Sequence, residues 1–268
     1  TYIVVKGNET GATGIIKINV MPMDVQFEQG ETVIRDDSKV YPYVAVGGKT
    51  MAAVTDGGVL YTWGDNTYGQ LGIGLTSDAT PYSTTPTVAI NGNVKKVVVG
   101  DGFMVAVTIN GEVYAWGRND NGQLGNGTTN NSTTPVRVRN QWMDGSDQLA
   151  IEISAGGEHT VVVTKSGTVY AWGLDAEGQV GLGALVSGAD KQTSYLVPQQ
   201  IASGDSTSTD DLYFRDALTV SAGNAHVTLL KKDGSVWSWG RNEEGQLGDF
   251  TNACLLYTSP SPRDTERS

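Results

Sequence analysis

The sequence is poor in the residues on which several classes of functional site depend. Its 268 residues include one cysteine and two histidines, so it offers no disulfide framework and few ligands for a metal site. Positive charge is also scarce, since 18 lysines and arginines stand against 29 acidic residues, for a net charge of −11, and no basic cluster occurs. Nucleic acid is therefore not expected as a partner, because binding its phosphates requires concentrated positive charge.

Long hydrophobic runs are missing as well. No apolar stretch approaches the roughly 20 residues of a membrane-spanning helix, and the amino end does not have the form of a signal peptide. We therefore expect no membrane insertion by this part of the chain. The first residue is Thr1 rather than methionine, so we interpret the sequence as an internal fragment.

Glycine is abundant, with 35 residues, and short β-branched and aromatic stretches alternate with Gly, Asn, Asp and Thr. This pattern is typical of an all-β protein. One ten-residue phrase occurs four times, as WGDNTYGQLG, WGRNDNGQLG, WGLDAEGQVG and WGRNEEGQLG. A leading glycine lies 16 residues before each of these tryptophans, and this offset never changes. The resulting structural repeat residues are Gly47, Trp63, Gly64, Gly100, Trp116, Gly117, Gly156, Trp172, Gly173, Gly223, Trp239 and Gly240.

The fixed part of each repeat predicts a β-hairpin. A β-branched strand is followed by Gly-Gly, Asn-Gly, Ser-Gly or Asp-Gly, pairs that favour two-residue turns, and the return strand ends at the tryptophan. The stretch before each leading glycine, such as residues 94–99, supplies another strand, and an outer strand begins at Pro86, Pro135 and Pro198. Repeats of four strands, packed face to face, predict a β-propeller in which each tryptophan is wedged between neighbouring blades.

The segment AGGEHTVVVTKSGTVYAWGLDAEGQVG, residues 155–181, resembles the repeat of the regulator of chromosome condensation family, and similar repeats cover about residues 39–253. The resemblance implies a seven-bladed propeller. This chain would then contain about four blades of an incomplete ring, at residues 39–90, 91–140, 141–201 and 202–253.

Both ends of the chain depart from the repeat. Residues 1–38 predict a hairpin, interpreted as the remnant of an immunoglobulin-like stalk domain, followed by a linker. At the other end, CLLYTSPSPRD at residues 254–264 resembles a translated transposase adapter of the kind used in DNA sequencing libraries. We therefore predict that residues 254–268, which include the cysteine, are an artefact rather than native sequence.

The chain shows no recognisable acid, base, nucleophile or metal centre, so we predict neither an enzyme nor a cofactor. His159 and His226 each lie three residues after a leading glycine and are interpreted as structural side chains whose ring nitrogens bond to the backbone. The Asn-rich turn at residues 119–122 resembles a calcium loop only loosely and is better explained by turn-forming side chains. The acidic segment 203–216 is interpreted as a solvated loop with one aromatic anchor, either Tyr213 or Phe214.

The predicted function is that of a non-catalytic binding scaffold from a secreted or cell-surface bacterial protein, with an extracellular location and a protein or glycan partner. The family resemblance leaves two alternatives, an inhibitor of a bacterial hydrolase such as a β-lactamase and a guanine-nucleotide exchange factor for a small GTPase. Candidate partner-binding residues are those that vary inside the fixed phrases, because the frame holds them rigidly. They are Lys49, Tyr68, Asp101, Asn121, Glu158, Glu177 and Glu244. We also expect the first and last blades to expose apolar faces.

Overall fold

The computed structural model of the chain describes residues 3–6, 13–16, 40–76, 78–139, 149–183, 192–202, 213–248 and 255–260. The chain divides into two compact units, residues 1–37 and residues 38–268. In the first unit, β1 (Ile3–Lys6) pairs antiparallel with β2 (Thr13–Ile16). This is the predicted hairpin, whereas its immunoglobulin-like origin stays a prediction. Residues 17–38, with the predicted linker, lie outside the described residues.

The second unit consists of four antiparallel sheets of four strands each. Blade 1 contains β3 (Tyr43–Gly47), β4 (Thr50–Val54), β5 (Val59–Asp65) and β6 (Tyr82–Asn91). Blade 2 contains β7 (Val94–Val99), β8 (Phe103–Thr108), β9 (Val113–Gly117) and β10 (Ser132–Arg137). Blade 3 contains β11 (Ala150–Ala155), β12 (His159–Thr164), β13 (Val169–Leu174) and β14 (Ser194–Gln200). Blade 4 contains β15 (Ala217–Ala222), β16 (His226–Lys231), β17 (Val236–Gly240) and β18 (Leu255–Pro260).

Within each blade the strands pair in chain order, and the first strands of consecutive blades lie beside one another. This is the arrangement of propeller blades packed around an axis. The prediction of an all-β propeller with four blades in an incomplete ring is therefore confirmed.

The core lies between the blades. Ala52, Val54 and Leu60 of blade 1 pack in one cluster with Met104 and Trp116 of blade 2. Two further clusters repeat this contact at the next two joints, and Trp116, Trp172 and Trp239 are fully buried. These three tryptophans therefore occupy the wedge positions expected from their spacing, whereas Trp63 of blade 1 is partly exposed.

The turn inside each hairpin differs from the two-residue turn predicted from sequence. Gly58 N donates to Thr55 O at 2.9 Å and Thr55 N donates to Val59 O at 3.0 Å, so the loop is one residue longer. Only the second glycine of the Gly57-Gly58 pair has a positive φ, of 74°. The same pattern occurs in the other three blades. These are three-residue loops in which a type I turn is followed by a left-handed glycine, so the two-residue prediction was wrong.

The outer strands contain the prolines but do not begin at them, since Pro86, Pro135 and Pro198 lie inside β6, β10 and β14. Register shifts occur in the pairing of all three outer strands, and an outer strand tolerates the missing N–H because one of its edges is unpaired. In blade 4 the outer position is taken by β18, where Leu255 lies opposite Gly240. This strand belongs to the segment predicted to be an adapter artefact, and that origin stays a prediction.

The end of the acidic segment 203–216 is anchored by Phe214. This ring is buried, with its centroid 5.2 Å from that of Trp237 and 6.1 Å from that of Trp239. Tyr213 is partly exposed. Of the two predicted candidates, Phe214 is therefore the anchor. Residues 203–212 lie outside the described residues.

Candidate functional site

The repeated phrase forms the pocket that receives the tryptophan of the next blade. The indole Nε1 of Trp116 donates to Gln70 O at 2.9 Å, that of Trp172 to Gln123 O at 2.7 Å, and that of Trp239 to Gln179 O at 3.0 Å. The glycine that ends the phrase in blades 1, 2 and 3 lies against the same indole. A Cβ atom at Gly72 would lie 2.6 Å from Trp116 Nε1, which is too close for any other residue. We call this feature the tryptophan cradle.

Buried polar side chains fix the turn inside each phrase. Asn119 Oδ1 accepts a hydrogen bond from Leu124 N at 2.9 Å, and Asn66, Asp175 and Asn242 make the same contact in the other blades. The glutamine of each phrase also contributes, since its Oε1 accepts a backbone N–H at 2.8 Å from the residue two positions earlier. Those donors are four of the candidate partner-binding residues, Tyr68, Asn121, Glu177 and Glu244. Their backbones are therefore held rigidly.

The leading loops lie beside these turns in every blade. Asp65 N donates to Lys49 O at 3.0 Å, Arg118 N to Gly102 O at 2.8 Å, Leu174 N to Glu158 O at 2.9 Å, and Arg241 N to Ala225 O at 2.9 Å. A Cβ atom at Gly64, Gly117, Gly173 or Gly240 would overlap the same carbonyl oxygens. We call this side of the propeller the turn–loop face. It consists of the leading loops 47–49, 100–102, 156–158 and 223–225 and the turns 64–69, 117–122, 173–178 and 240–245.

At the leading glycines, a neighbouring ring or backbone segment packs directly against the glycine Cα atom. A Cβ atom at Gly100, Gly156 or Gly223 would overlap the ring of the residue three positions later, which is Phe103, His159 or His226. At Gly47 the obstacle is the backbone of Val99 in the next blade. All four positions therefore need glycine because of packing.

Arg118 connects three blades on the turn–loop face. Its guanidinium carbon lies 5.4 Å from the ring centroid of Tyr68 in blade 1, and its Nη1 lies 2.5 Å from Glu158 Oε1 in blade 3. Within blade 2 its Nε lies 2.8 Å from Asp120 Oδ2, and Nη1 lies 3.7 Å from Asp101 Oδ2. The hydrogen bond to Asp120 is the main cause that raises the pKa of Arg118, and the charge of Glu158 adds to it.

Four of the seven candidate residues come together around this arginine. They are Tyr68, Asp101, Asn121 and Glu158, and Asn121 Nδ2 also donates to Glu158 Oε2 at 3.0 Å. We call these four residues with Arg118 and Asp120 the Arg118 cluster. It is open to solvent, since the side chains of Asp101 and Asp120 are 70% and 54% exposed. Lys49, Glu177 and Glu244 lie on the same face, outside this cluster.

Sequence reasoning missed Arg118 and Asp120. A signal was present, because WGRND in blade 2 and WGRNE in blade 4 both place an acidic residue two positions after an arginine. Arg241 forms an ion pair with Glu243 in blade 4, as Arg118 does with Asp120 in blade 2.

Blade 2 lacks a partly buried hydrogen bond that blade 1 makes at this position. In blade 1, Gln70 Nε2 donates to Asp65 Oδ2 at 2.8 Å. Arg118 stands in the position of Asp65 and cannot accept a hydrogen bond. The Nε2 atom of the buried Gln123 accordingly has no hydrogen-bond partner among the described residues. Such a loss costs about 1–3 kcal/mol, and a local loss of this kind is typical of a position retained for function.

The turn–loop face is acidic. Apart from the buried Asp175, it has seven acidic side chains against three basic ones. The acidic residues are Asp65, Asp101, Asp120, Glu158, Glu177, Glu243 and Glu244, and the basic residues are Lys49, Arg118 and Arg241. Its field therefore favours a positively charged ligand.

The two histidines differ in their surroundings. His159 is fully buried, and neither ring nitrogen has a hydrogen-bond partner among the described residues, so the predicted bond to the backbone was wrong for this residue. Burial lowers the pKa of His159 to about 3, with a smaller contribution from His226. His226 is half-buried, and burial lowers its pKa as well.

Within the residues that the structure describes, no three His, Cys, Asp or Glu side chains form a group that could hold a metal ion. The described ranges also contain no helix long and apolar enough to cross a membrane.

Comparison with known proteins gives a consistent result. The profile of the RCC1-like domain matches residues 3–267. The ultraviolet-B receptor UVR8 of Arabidopsis thaliana is 35% identical over 203 residues, which cover 74% of this chain and 41% of the receptor. Among solved structures, human WBSCR16 has a TM-score of 0.69 at 23% identity, over 85% of this chain and 54% of that protein.

The Prp20p protein of Saccharomyces cerevisiae has a TM-score of 0.66 at 19% identity, over 82% of this chain and 50% of that protein. Its structure is described together with its binding to Gsp1p and histones. The chain thus spans about half or less of the length of these three proteins.

Proposed function

The chain belongs to the family of RCC1-like domains, and from this premise we propose that it is a non-catalytic scaffold that binds a protein through its turn–loop face. The observation that carries the proposal is the Arg118 cluster, in which side chains from three blades meet on one exposed surface. Tyrosine and arginine are enriched among the residues that dominate binding energy at protein interfaces.

The geometry of the frame supports a rigid binding surface. Each turn is fixed by a buried Asn or Asp, and each leading loop is bonded to its turn. A partner therefore meets side chains that are already ordered, which lowers the entropy cost of association.

The negative charge of the turn–loop face favours a partner with a basic surface. Acidic side chains outnumber basic ones around the cluster, and Asp101 and Asp120 are largely exposed. A protein that presents lysine or arginine can pair with these carboxylates and place its cation near the Tyr68 ring. We therefore propose a basic protein surface as the ligand, and we keep the extracellular or cell-surface location and a glycan ligand as further proposals.

The proposal is tested by selecting binders from a random 12-residue peptide library against the whole chain. We expect the selected peptides to be enriched in Lys and Arg and to lose affinity by about tenfold or more on the double variant Asp101→Asn, Glu158→Gln. The control is Glu112→Gln, which removes an acidic residue paired with Arg137 outside the turn–loop face. Neutral or acidic peptides, or equal binding to the double variant, would overturn the proposal.

The two alternative functions have their own assays. Faster nucleotide release from a small GTPase in the presence of the chain would replace the scaffold proposal with an exchange factor. Inhibition of a β-lactamase at nanomolar concentrations of the chain would replace it with an enzyme inhibitor.

A further inference from the structure

A polar cleft lies at the joint between blades 1 and 2, at the strand ends opposite the turn–loop face. Its volume is about 430 Å³, within the range of about 300–1,000 Å³ that is usual for small-molecule sites. One wall is the end of β6 and its connection to β7, and the other wall is the hairpin between β8 and β9. The polar side chains of the lining are those of Asn91, Asn93, Thr108, Asn110, Glu112 and Tyr114. We call this feature the asparagine cleft.

Backbone hydrogen bonds fix the two walls of the asparagine cleft. Ile109 N in the hairpin loop donates to Asn93 O in the opposite wall at 2.9 Å, and Thr108 N donates to Glu112 O at 2.9 Å to close the loop. The ring of Tyr114 is half-buried and packs against the core cluster of this joint. A ligand would therefore meet a surface that is already formed, which lowers the entropy cost of binding.

The asparagine side chains of the cleft are free to bind a ligand. Asn91, Asn93 and Asn110 are exposed, and none of their amides has a hydrogen-bond partner among the described residues. The same holds for the hydroxyl group of Tyr114, judged against the same part of the chain. Each amide offers donors and an acceptor, and the tyrosine hydroxyl can do both. The cleft therefore combines several unused donors and acceptors with one aromatic ring.

The amide of Asn110 differs from the matching side chains of blades 3 and 4. Ser166 Oγ lies 2.8 Å from Thr164 Oγ1, within the hairpin loop of blade 3. Asp233 Oδ1 accepts a hydrogen bond from Ser235 N at 2.9 Å in the hairpin loop of blade 4. These two side chains stabilise their own turns, whereas the amide of Asn110 is available to a ligand.

The charge and polarity of the lining restrict the class of ligand. Among the described residues that line the cleft there is no lysine or arginine, which disfavours a phosphate or carboxylate ligand. The carboxylate of Glu112 is paired with Arg137 at 3.3 Å, which disfavours a cation. A purely apolar ligand would bury the amides without hydrogen bonds. A neutral ligand rich in hydroxyl groups fits the lining, because each hydroxyl both donates and accepts.

We propose that the asparagine cleft binds a neutral saccharide. The amides of Asn91 and Asn110, which stand on opposite walls, bond to hydroxyl groups of the sugar, and the ring of Tyr114 packs against its C–H groups. The cleft and the turn–loop face lie at opposite ends of β8. The proposal therefore goes beyond protein binding and gives a glycan ligand a site of its own.

Saturation-transfer difference NMR on the whole chain tests the proposal. The probes are glucose, galactose, mannose, N-acetylglucosamine, lactose and cellobiose. We expect binding of at least one of them with a millimolar or lower Kd, and an affinity lower by about tenfold or more for the double variant Asn91→Ala, Asn110→Ala, because two hydrogen bonds to the sugar are lost. Asn130→Ala is the control, since it removes an exposed asparagine outside the cleft and should leave the affinity unchanged. Circular dichroism verifies that both variants are folded.

A sugar phosphate distinguishes a neutral ligand from an anionic one. We expect glucose 6-phosphate to bind more weakly than glucose, because the lining offers the phosphate no cation. No saturation transfer to any sugar of the panel, equal affinity for the double variant, or tighter binding of the sugar phosphate would each overturn the proposal. Binding of basic peptides to the turn–loop face is measured separately, so failure of one proposal leaves the other standing.

Discussion

At the scale of single residues, equivalent positions in neighbouring blades solve the same packing problem with different chemistry. Phe103 in blade 2 and His159 in blade 3 both lay a ring over a leading glycine, and both are fully buried. Phenylalanine fills the space without polar atoms. Histidine instead places two ring nitrogens there that have no hydrogen-bond partner among the described residues. Burying them without a partner lowers the stability of the folded chain.

The pKa of His159 gives this cost a pH dependence. It falls to about 3 in the folded chain from an ordinary value of about 6.5, so the unfolded chain binds more protons between these values. The folded chain is therefore most stable above about pH 6.5 and loses stability as the pH falls toward 3. At pH 5 the loss is about 2 kcal/mol.

We accordingly expect His159→Phe to raise the free energy of unfolding at pH 7 by about 1–3 kcal/mol and to remove most of its fall between pH 7 and pH 5. Urea denaturation at the two pH values measures both effects. His226→Phe is the control, because the half-buried His226 should contribute a smaller pH dependence. An unchanged fall in stability for His159→Phe would contradict this account of its pKa.

At the scale of structural elements, the turn of each phrase is stabilised by one buried amide or carboxylate. Asn119 accepts a hydrogen bond from Leu124 N and donates to Thr128 O and Asn130 O at 2.9 and 3.0 Å. It therefore ties the turn to the loop that leads into β10. Its neighbour Asp120 lies on the solvent side of the same turn.

We expect Asn119→Ala to lower the free energy of unfolding by about 3 kcal/mol, because one buried and two partly buried hydrogen bonds lose their side-chain partner. The exposed Asp120→Ala should cost less than about 1 kcal/mol, since it removes only a surface ion pair. Denaturant unfolding of the two variants at pH 7 makes the comparison. Equal effects would show that the amide does not hold the turn.

The sequence correctly predicted a tight hairpin turn in each blade, but it did not predict the number of residues in the loop. Dipeptides such as Asn110-Gly111 favour a two-residue turn, but the pairing of β8 with β9 sets a longer loop, in which only Gly111 has a positive φ. A dipeptide preference is local, whereas the length of a hairpin loop depends on the register of the two strands.

At the scale of the whole molecule, the first and last blades expose apolar side chains at positions that the middle blades bury. Tyr41 and Val44 at one end are substantially exposed, and Leu230 at the other is half-buried. Such surfaces bind hydrophobic dyes when they are uncovered.

We expect the unmodified chain to raise the fluorescence of anilinonaphthalene sulfonate, because the exposed Tyr41 and Val44 offer the dye an apolar surface. The double variant Tyr41→Ser, Val44→Ser should lower this fluorescence, and Glu112→Gln, which changes a polar side chain, is the control. Equal fluorescence for the double variant and the unmodified chain would show that the dye binds elsewhere.

The sequence by itself determined the repeat, the four blades and the places of Trp116, Trp172 and Trp239. The leading glycines and the Trp-Gly pairs recur at fixed offsets because each joint makes the same contacts. A contact made in every copy, such as that of Trp172 with Gln123, must appear as a period in the sequence.

Only the tertiary structure decided the Arg118 cluster. Tyr68, Arg118 and Glu158 come from three different blades and differ in chemistry, so their contact leaves no period to detect. The buried Gln123 without a partner and the protonation of His159 are likewise set by what neighbouring blades place beside them. Periodicity encodes what the copies share, whereas the Arg118 cluster is formed where they differ, and the packing of one blade on the next determines which of those differences meet.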